Sequence, residues 1–361
     1  MEEAKEIYLL LERSDNPMAK VDLLNRLVFL FLNSDLERSE QHLKEAYELA
    51  VANNYRKGIL EYYKGYGRLK FKQSLYSAAL EYFTKAHEIA LEIDDQEMQA
   101  ILIDNMGMVW WSQGNMEKSL ELSSRALEML RQLPDKNGLK ASCLANIGNT
   151  YERMGELHKA ISFYNEALEV LEASGNRRMS SSVMGNIAVI HAQLGEYTTA
   201  IPLFEQCLKA FQDFNNKSGE IWTLINIAAA QYQLRALVSA MDNYKKALKK
   251  LKELEIKGAE INALVGLGEV YTSFGGYKEA LSHINQGLEI ARKVGHITGE
   301  CRGLRALGEM YLQMKENDQA VYYLEQALQL ANQHQFGTEA KLIKEQLLLA
   351  QPSNESTAKV L

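Results

Sequence analysis

A self-similar frame that returns every 40 residues constrains this 361-residue chain more than any other feature. It is fullest at Gly148-Asn149-Thr150-Tyr151-Glu152-Arg153-Met154-Gly155, followed by Ala160, Tyr164 and Ala167. One step of 40 reaches Ala188, Gly195, Ala200, Phe204 and Cys207, and the next reaches Ala228, Ala240, Tyr244 and Ala247. Further steps reach Gly268, Tyr271, Gly275 and Ala280, then Gly308, Tyr311, Ala320 and Ala327. In the other direction the slots hold Gly107, Trp110, Gly114 and Ala126, then Gly67, Ala79, Phe83 and Ala86. A degenerate copy places Leu27, Leu43 and Ala46 in the same frame, and a single step, in the third copy, is 41. A fixed period of this length marks an architecture in which no unit buries its apolar face alone, so the units must stack.

Each unit reads as two antiparallel helices. Small residues at 67, 107, 148, 188, 228, 268 and 308 let the first helix (A) approach the second (B), and those at 86, 126, 167, 207, 247 and 287 do the same on B. Tyr151, Tyr164, Phe204, Tyr244, Tyr271 and Tyr311 fill the remaining space. Turn signals fall between the helices at Met154-Gly155-Glu156, Leu194-Gly195-Glu196 and Phe274-Gly275-Gly276. The pattern predicts A helices near 19–33, 57–73, 97–113, 137–154, 177–194, 217–234, 257–274 and 297–314. It predicts B helices near 36–53, 76–93, 116–133, 157–174, 197–214, 237–255, 277–294 and 317–334, with a leading helix at 3–13 and a final one at 337–350. The expected fold is all-α: one right-handed α-solenoid of eight helix pairs over 19–336, with 1–18 packing on the first repeat, 337–350 as a cap and 351–361 as a disordered tail.

The spacing Gly-x-x-Tyr-x-x-x-Gly-x-x-x-x-Ala-x-x-x-Phe/Tyr-x-x-Ala resembles the tetratricopeptide repeat, over residues 19 to 350. That family's unit is about 34 residues and commonly closes helix B with proline. Here the corresponding slots hold Leu91, Arg131, Glu172, Gln212, Lys252, Arg292 and Asn332. Only four prolines occur in the whole chain, where average usage of about 5% would give about eighteen. Without the proline stop each helix can lengthen by most of a turn. The longer unit is similar to those of the LGN/Pins polarity adaptors, kinesin light chains, and Rap- and MalT-type bacterial regulators. Pro202, near the start of a B helix, is expected to be tolerated or to kink it.

Charge and motif content narrow the function classes. A net charge of −7 gives no basic footprint for nucleic acid. Lys245-Lys-Ala-Leu-Lys-Lys-Leu-Lys252, the densest basic stretch, reads as a solvated face offset by Asp242, Glu253, Glu255 and Glu260. Cys143, Cys207 and Cys301 are odd in number and far apart, which indicates neither a disulfide framework nor a metal site. No basic leader followed by an apolar core opens the sequence, and its apolar run from Leu27 to Leu32 is far short of the about 20 residues a membrane span needs. The expectation is a cytoplasmic protein without membrane contact. Phosphate-loop, dinucleotide, HExxH and GxSxG signatures are missing, so no enzyme, cofactor or metal is expected. His191 takes the slot of Tyr151, Tyr271 and Tyr311, and Cys207 a small-residue slot, so both are expected to pack rather than to react.

The resemblance implies that the inner face of the A helices lines a concave groove. One slot on that face holds Asn25, Asn105, Asn146, Asn186 and Asn226, with Asn149 a turn beyond Asn146. A carboxamide both donates and accepts, so a ladder of them can hold the backbone of an extended peptide without reading its side chains. The same amides can equally bond a neighbouring repeat, and the sequence leaves both roles open. Trp111, Trp222 and Tyr232 offer aromatic anchors, although Trp222 can also simply cover a helix end. Arg153, Arg302 and Arg305 add positive charge, with Lys64, Arg68 and Lys72 toward the amino-terminal end and Glu269 and Glu309 in opposition. A chaperone-tail carboxylate clamp is not expected, because Ala145, Trp222 and Asn226 stand where it needs lysine, lysine and arginine. The final helix carries Leu342, Ile343, Leu347, Leu348 and Leu349 on more than one side, which suggests self-association there or continuation into further sequence. The function expected is a non-enzymatic interaction scaffold binding a peptide or partner segment in the groove. The alternatives are a Rap-like peptide-responsive regulator, or the sensory half of a longer signalling enzyme such as a kinase or cyclase.

Overall fold

The computed structural model of the protein describes residues 2–32 and 35–350; the tail expected at 351–361 lies outside the described residues. Eighteen helices, numbered along the chain, account for the described structure, and no strand occurs among the described residues. The A helices are α2 (Pro17–Phe31), α4 (Arg56–Lys72), α6 (Gln96–Ser112), α8 (Asn137–Arg153), α10 (Arg177–Gln193), α12 (Lys217–Gln233), α14 (Lys257–Ser273) and α16 (Ile297–Gln313). The B helices are α3 (Leu36–Ala52), α5 (Tyr76–Glu92), α7 (Met116–Arg131), α9 (Leu157–Ser174), α11 (Tyr197–Asp213), α13 (Leu237–Leu251), α15 (Tyr277–Val294) and α17 (Asn317–Gln333). Helix α1 (Glu2–Arg13) precedes them and α18 (Gly337–Ala350) follows.

The expected boundaries hold to within two residues except at α13, which stops at Leu251 rather than near 255. There the chain spends its residues on tighter bonds from Glu253 N to Lys250 O and from Leu254 N to Leu251 O. Elsewhere a left-handed residue ends nearly every helix: Asn54, Ser74, Asp94, Gly114, Asp135, Gly155, Gly175, Gly195, Asn215 and Arg235, then Gly275, Gly295, Lys315 and Gln335. The following amide reaches back five residues, as in Tyr55 N to Ala50 O and Glu156 N to Tyr151 O, which satisfies carbonyls the helix end would leave orphaned. These stops recur every 20 residues, and the single step of 21, from Gly114 to Asp135, explains the longer third copy. Pro17 starts α2, where its missing N–H costs nothing, and α11 runs on through Pro202.

The chain divides into two compact units, residues 1–183 and 184–361, with α10 contributing to each. In the first unit α1 packs on α2, and α2 through α9 pack in hairpins, each helix on the next. The A helices also meet each other, α2 with α4 and α6 with α8. In the second unit α11 through α18 pack in the same order, and the A helices α12, α14 and α16 touch in a row that α18 extends. The closely spaced A helices thus form one layer of each unit and the B helices the other.

Gly148 and Tyr164 show why the small residues recur. Tyr164 on α9 is fully buried, and a Cβ on Gly148 would lie 2.7–3.0 Å from three of its ring atoms. Phe204 and Tyr244 occupy the corresponding slot in the second unit and are equally buried. A second ring contact locks the turn end of several hairpins: Tyr151 stacks on Phe163, Tyr271 on His283 and Tyr311 on Tyr323, at centroid distances of 5.3–5.5 Å. His191, in the slot of those tyrosines, instead places Nδ1 2.6 Å from Glu196 Oε2. Cys143, Cys207 and Cys301 are buried and form no disulfide.

Gly148→Ala tests the close approach. Alanine favours a helix interior over glycine by about 1 kcal/mol, whereas overpacking a full core costs about 1–3 kcal/mol. The substitution is expected to lower the chemical-denaturation midpoint. A rise in stability by the whole propensity gain would show that the Tyr164 ring does not need the space.

Candidate functional site

In the first unit the A layer carries Asn105 and Trp111 on α6 and Asn146, Asn149 and Arg153 on α8. A cavity of about 260 Å³ opens among Phe71, Met108, Trp111, Ser112, Asn146 and Asn149, with Ser119 from the start of α7 at its floor. Its walls are mostly apolar, and the two amides supply the main polarity.

Both amides have fixed orientations. Asn146 Nδ2 donates to Asp104 Oδ2 at 2.9 Å, and Ser123 Oγ donates to Asp104 Oδ1 at 2.9 Å. Asp104 is only 7% exposed, and burial pushes its carboxyl above the usual range although Ser123, Asn146 and Cys143 all bond it. Asn146 is therefore an inter-repeat partner of α6, through a side chain rather than the backbone. Its Oδ1 has no partner among the described residues, and the residue lines the cavity. Asn149 accepts at Oδ1 from the Tyr164 hydroxyl at 2.6 Å, which ties α8 to α9. Asn105 is placed differently: its Nδ2 is buried without a partner among the described residues, and it does not line the cavity. Asn25 Nδ2 behaves in the same way.

Arg153 lies over Trp111. Its guanidinium carbon is 4.7 Å from the ring centroid, and Nη1 donates to the Trp111 carbonyl at 2.7 Å. The side chain is exposed, so its remaining N–H groups face solvent beside a cavity wall. Lys64, expected near the amino-terminal end, is instead paired with Glu61 at 2.6 Å, and burial lowers its pKa.

In the second unit a cavity of about 270 Å³ is bounded by Val189, Tyr197, Phe204, Asn226, Ala230 and Gln233. Asn226 is half-buried and makes no hydrogen bond through its side chain among the described residues. Asn186, on α10, is half-buried as well. Trp222 is partly exposed and its ring rests across Gly258 at the start of α14, where a Cβ would meet it at 3.7–3.8 Å. It covers the beginning of the next A helix. Tyr232 accepts from Ser273 Oγ at 3.4 Å.

Arg302 and Arg305 are committed to carboxylates. Arg302 Nη2 lies 2.6 Å from Glu269 Oε2, and its Nη1 donates to Asn262 Oδ1 at 3.1 Å. Arg305 Nε lies 2.5 Å from Glu339 Oε1, with Glu269 at 3.4 Å and Glu309 at 3.6 Å. Burial pushes the Glu269 carboxyl up, but Arg302 and Arg305 outweigh it and hold it below the usual carboxylate range. Burial and neighbouring Glu269 push Glu309 up. The positive charge that the sequence placed in this part of the groove is thus offset by α14, α16 and α18, and Arg153 in the first unit is the more accessible cation.

The sequence did not single out Asp104, yet it orients Asn146. Its signal was a lone carboxylate in the apolar run Ile101-Leu102-Ile103-Asp104, in the slot where the next repeat has Ala145. No cluster of three or more metal-ligating side chains occurs among the described residues, and none of their helices is long and apolar enough to cross a membrane.

The sequence profile of the tetratricopeptide repeat matches residues 97–173, 179–253 and 259–333. The response regulator aspartate phosphatase A of Bacillus subtilis (strain 168) is 27% identical over a match that covers 38% of this chain and 48% of that protein. The chain therefore spans about half the length of this curated relative. Among solved structures, a Rap protein complexed with competence and sporulation factor is 15% identical with a TM-score of 0.61, over 92% of this chain and 98% of that one. The apo form of the quorum sensor NprR from B. thuringiensis is 17% identical with a TM-score of 0.66, over 90% and 91%. At these identities the likeness is one of fold. With the profile matched across most of its length, and with the helix pairs that the profile implies, this chain belongs to the tetratricopeptide repeat family.

Proposed function

We propose that the protein is a non-enzymatic, cytoplasmic binding scaffold whose A-helix face holds an extended peptide, with the repeats of 19–336 as the binding element. The observation that carries this reading is the pairing of cavities with asparagines: Asn146 and Asn149 line one in the first unit, and Asn226 lines one in the second. An amide at the rim of an apolar cavity can bond peptide backbone while the cavity takes a side chain, the arrangement expected of a few polar groups in a mostly apolar site. The Rap protein of similar fold was solved in complex with competence and sporulation factor, which supports a binding role for a solenoid of this kind.

Selection from a random decapeptide display library tests the reading. Asn226→Ala is the informative variant, because it breaks no bond among the described residues, whereas Asn146→Ala would take one of the bonds from the buried Asp104 carboxyl. Selected peptides that contact the second unit are expected to bind Asn226→Ala about two- to tenfold more weakly, the worth of one hydrogen bond. Thermal stability is expected to stay unchanged. Failure of the wild type to enrich any peptide, or binding indifferent to every asparagine of the ladder, would contradict the reading.

The 27% likeness to a response regulator aspartate phosphatase favours a second reading, action on a phosphorylated response regulator. Faster loss of phosphate from such a substrate on adding the protein would support it, and an unchanged rate would remove it. Self-association through α18 is also part of the proposal. Ile343 is buried and Leu347 packs on the core shared by α14–α18, but Leu348 and Leu349 are 69% and 76% exposed. Leu348→Glu/Leu349→Glu is therefore expected to convert a dimeric mass in light scattering to a monomeric one, and a monomeric wild type would refute it.

A further inference from the structure

The cavity of the first unit is too small to be a complete ligand site. At about 260 Å³ it falls below the roughly 300–1,000 Å³ of pockets that enclose a drug-sized molecule. It suits one bulky side chain. Phe71, Met108 and Trp111 supply apolar walls from two successive A helices, and Ser112 stands at the edge.

Two polar features around it differ in kind. Asp104 accepts from the Asn146 amide nitrogen, so Asn146 offers its carbonyl oxygen, an acceptor, to whatever enters. The carboxylate is held in turn by Ser123, which keeps the amide from turning over. On the Trp111 wall sits Arg153, stacked on the ring and pinned by one bond to the Trp111 carbonyl. Stacking pre-organises a guanidinium whose remaining N–H groups suit a carboxylate. No carboxylate is within ion-pair distance of it among the described residues, unlike Arg302 and Arg305.

From this juxtaposition we propose that the first unit holds an apolar–acidic anchor site: the cavity takes one bulky apolar side chain of an extended peptide, Asn146 Oδ1 accepts a neighbouring backbone N–H, and Arg153 binds a nearby carboxylate. The proposal rests on the peptide-binding reading and specifies its ligand chemistry. The carboxylate comes either from an Asp or Glu side chain or from the peptide's own carboxyl terminus. Asp104 is a positioning residue that acts through Asn146.

The test uses the full chain and a random decapeptide display library, followed by synthetic copies of the enriched peptides. Selection is expected to enrich a Leu, Met or Phe within a few residues of an acidic group. Changing that apolar residue to alanine should weaken binding about tenfold or more, as for a buried interface anchor. Arg153→Gln should weaken it severalfold at low salt, with the difference shrinking as salt rises and screens the pair. Amidating the peptide's carboxyl terminus separates the two sources: loss of affinity assigns the terminus, and no loss assigns the side chain. Trp111→Ala should abolish binding but also removes the ring's contacts with Asn149 and Arg153 of α8, so Ser112→Tyr, which fills the cavity from its edge, is the companion variant and should block binding with the melting temperature retained. Peptides that bind equally well to Arg153→Gln and Ser112→Tyr, yet lose affinity for Asn226→Ala, would overturn the anchor site and leave the peptide-binding reading standing. No enriched peptide at all would remove both.

Discussion

Everything on the A face depends on how closely each A helix can lie on its B helix. Gly148 against the Tyr164 ring shows the constraint in its simplest form: the contact has no space for a single methyl group. A larger residue would push α8 away from α9 and break the bond from the Tyr164 hydroxyl to Asn149. The same contact that holds the hairpin together therefore also sets the amide at the cavity wall. Packing and site are one arrangement, because the ring that fills the core carries the hydroxyl that orients the asparagine.

The repeat was legible in the sequence because periodicity is a one-dimensional property. Residues 40 apart meet the same surroundings, so small and aromatic slots could be assigned and the helices bounded closely. The turns were only half legible. Gly155, Gly195 and Gly275 announced left-handed stops, but Asn54, Asp94, Arg235 and Lys315 adopt the same conformation without glycine. Their regular spacing, rather than their residue type, is what reveals them. Asparagine and aspartate can bond locally and so enter that region at lower cost than other side chains.

The site was less legible, for a physical reason. Which residues line the A face follows from the register, and Trp111, Asn146, Asn149 and Asn226 do line cavities. What each side chain has left to offer depends on partners 15 to 42 positions away. Asn146 is half committed to Asp104, and Arg302 and Arg305 are committed to Glu269 and Glu339. Those ion pairs cross between neighbouring A helices, and a formal charge count cannot distinguish a cation that is matched from one that is available. Arg153, stacked on Trp111 without a carboxylate at hand, is the residue whose importance the structure raises.

Photo-crosslinking gives the most direct test of where a ligand lies. Benzoylphenylalanine in place of Gln233, an exposed residue of α12 beside the second unit's cavity, puts the reactive group on the A-helix face, and in place of Leu91 puts it on the exposed side of a B helix. A library-selected peptide that depends on Asn226 is predicted to crosslink from position 233 and not from position 91. Crosslinking from position 91 alone, or equally from both, would contradict the assignment of binding to the A-helix face.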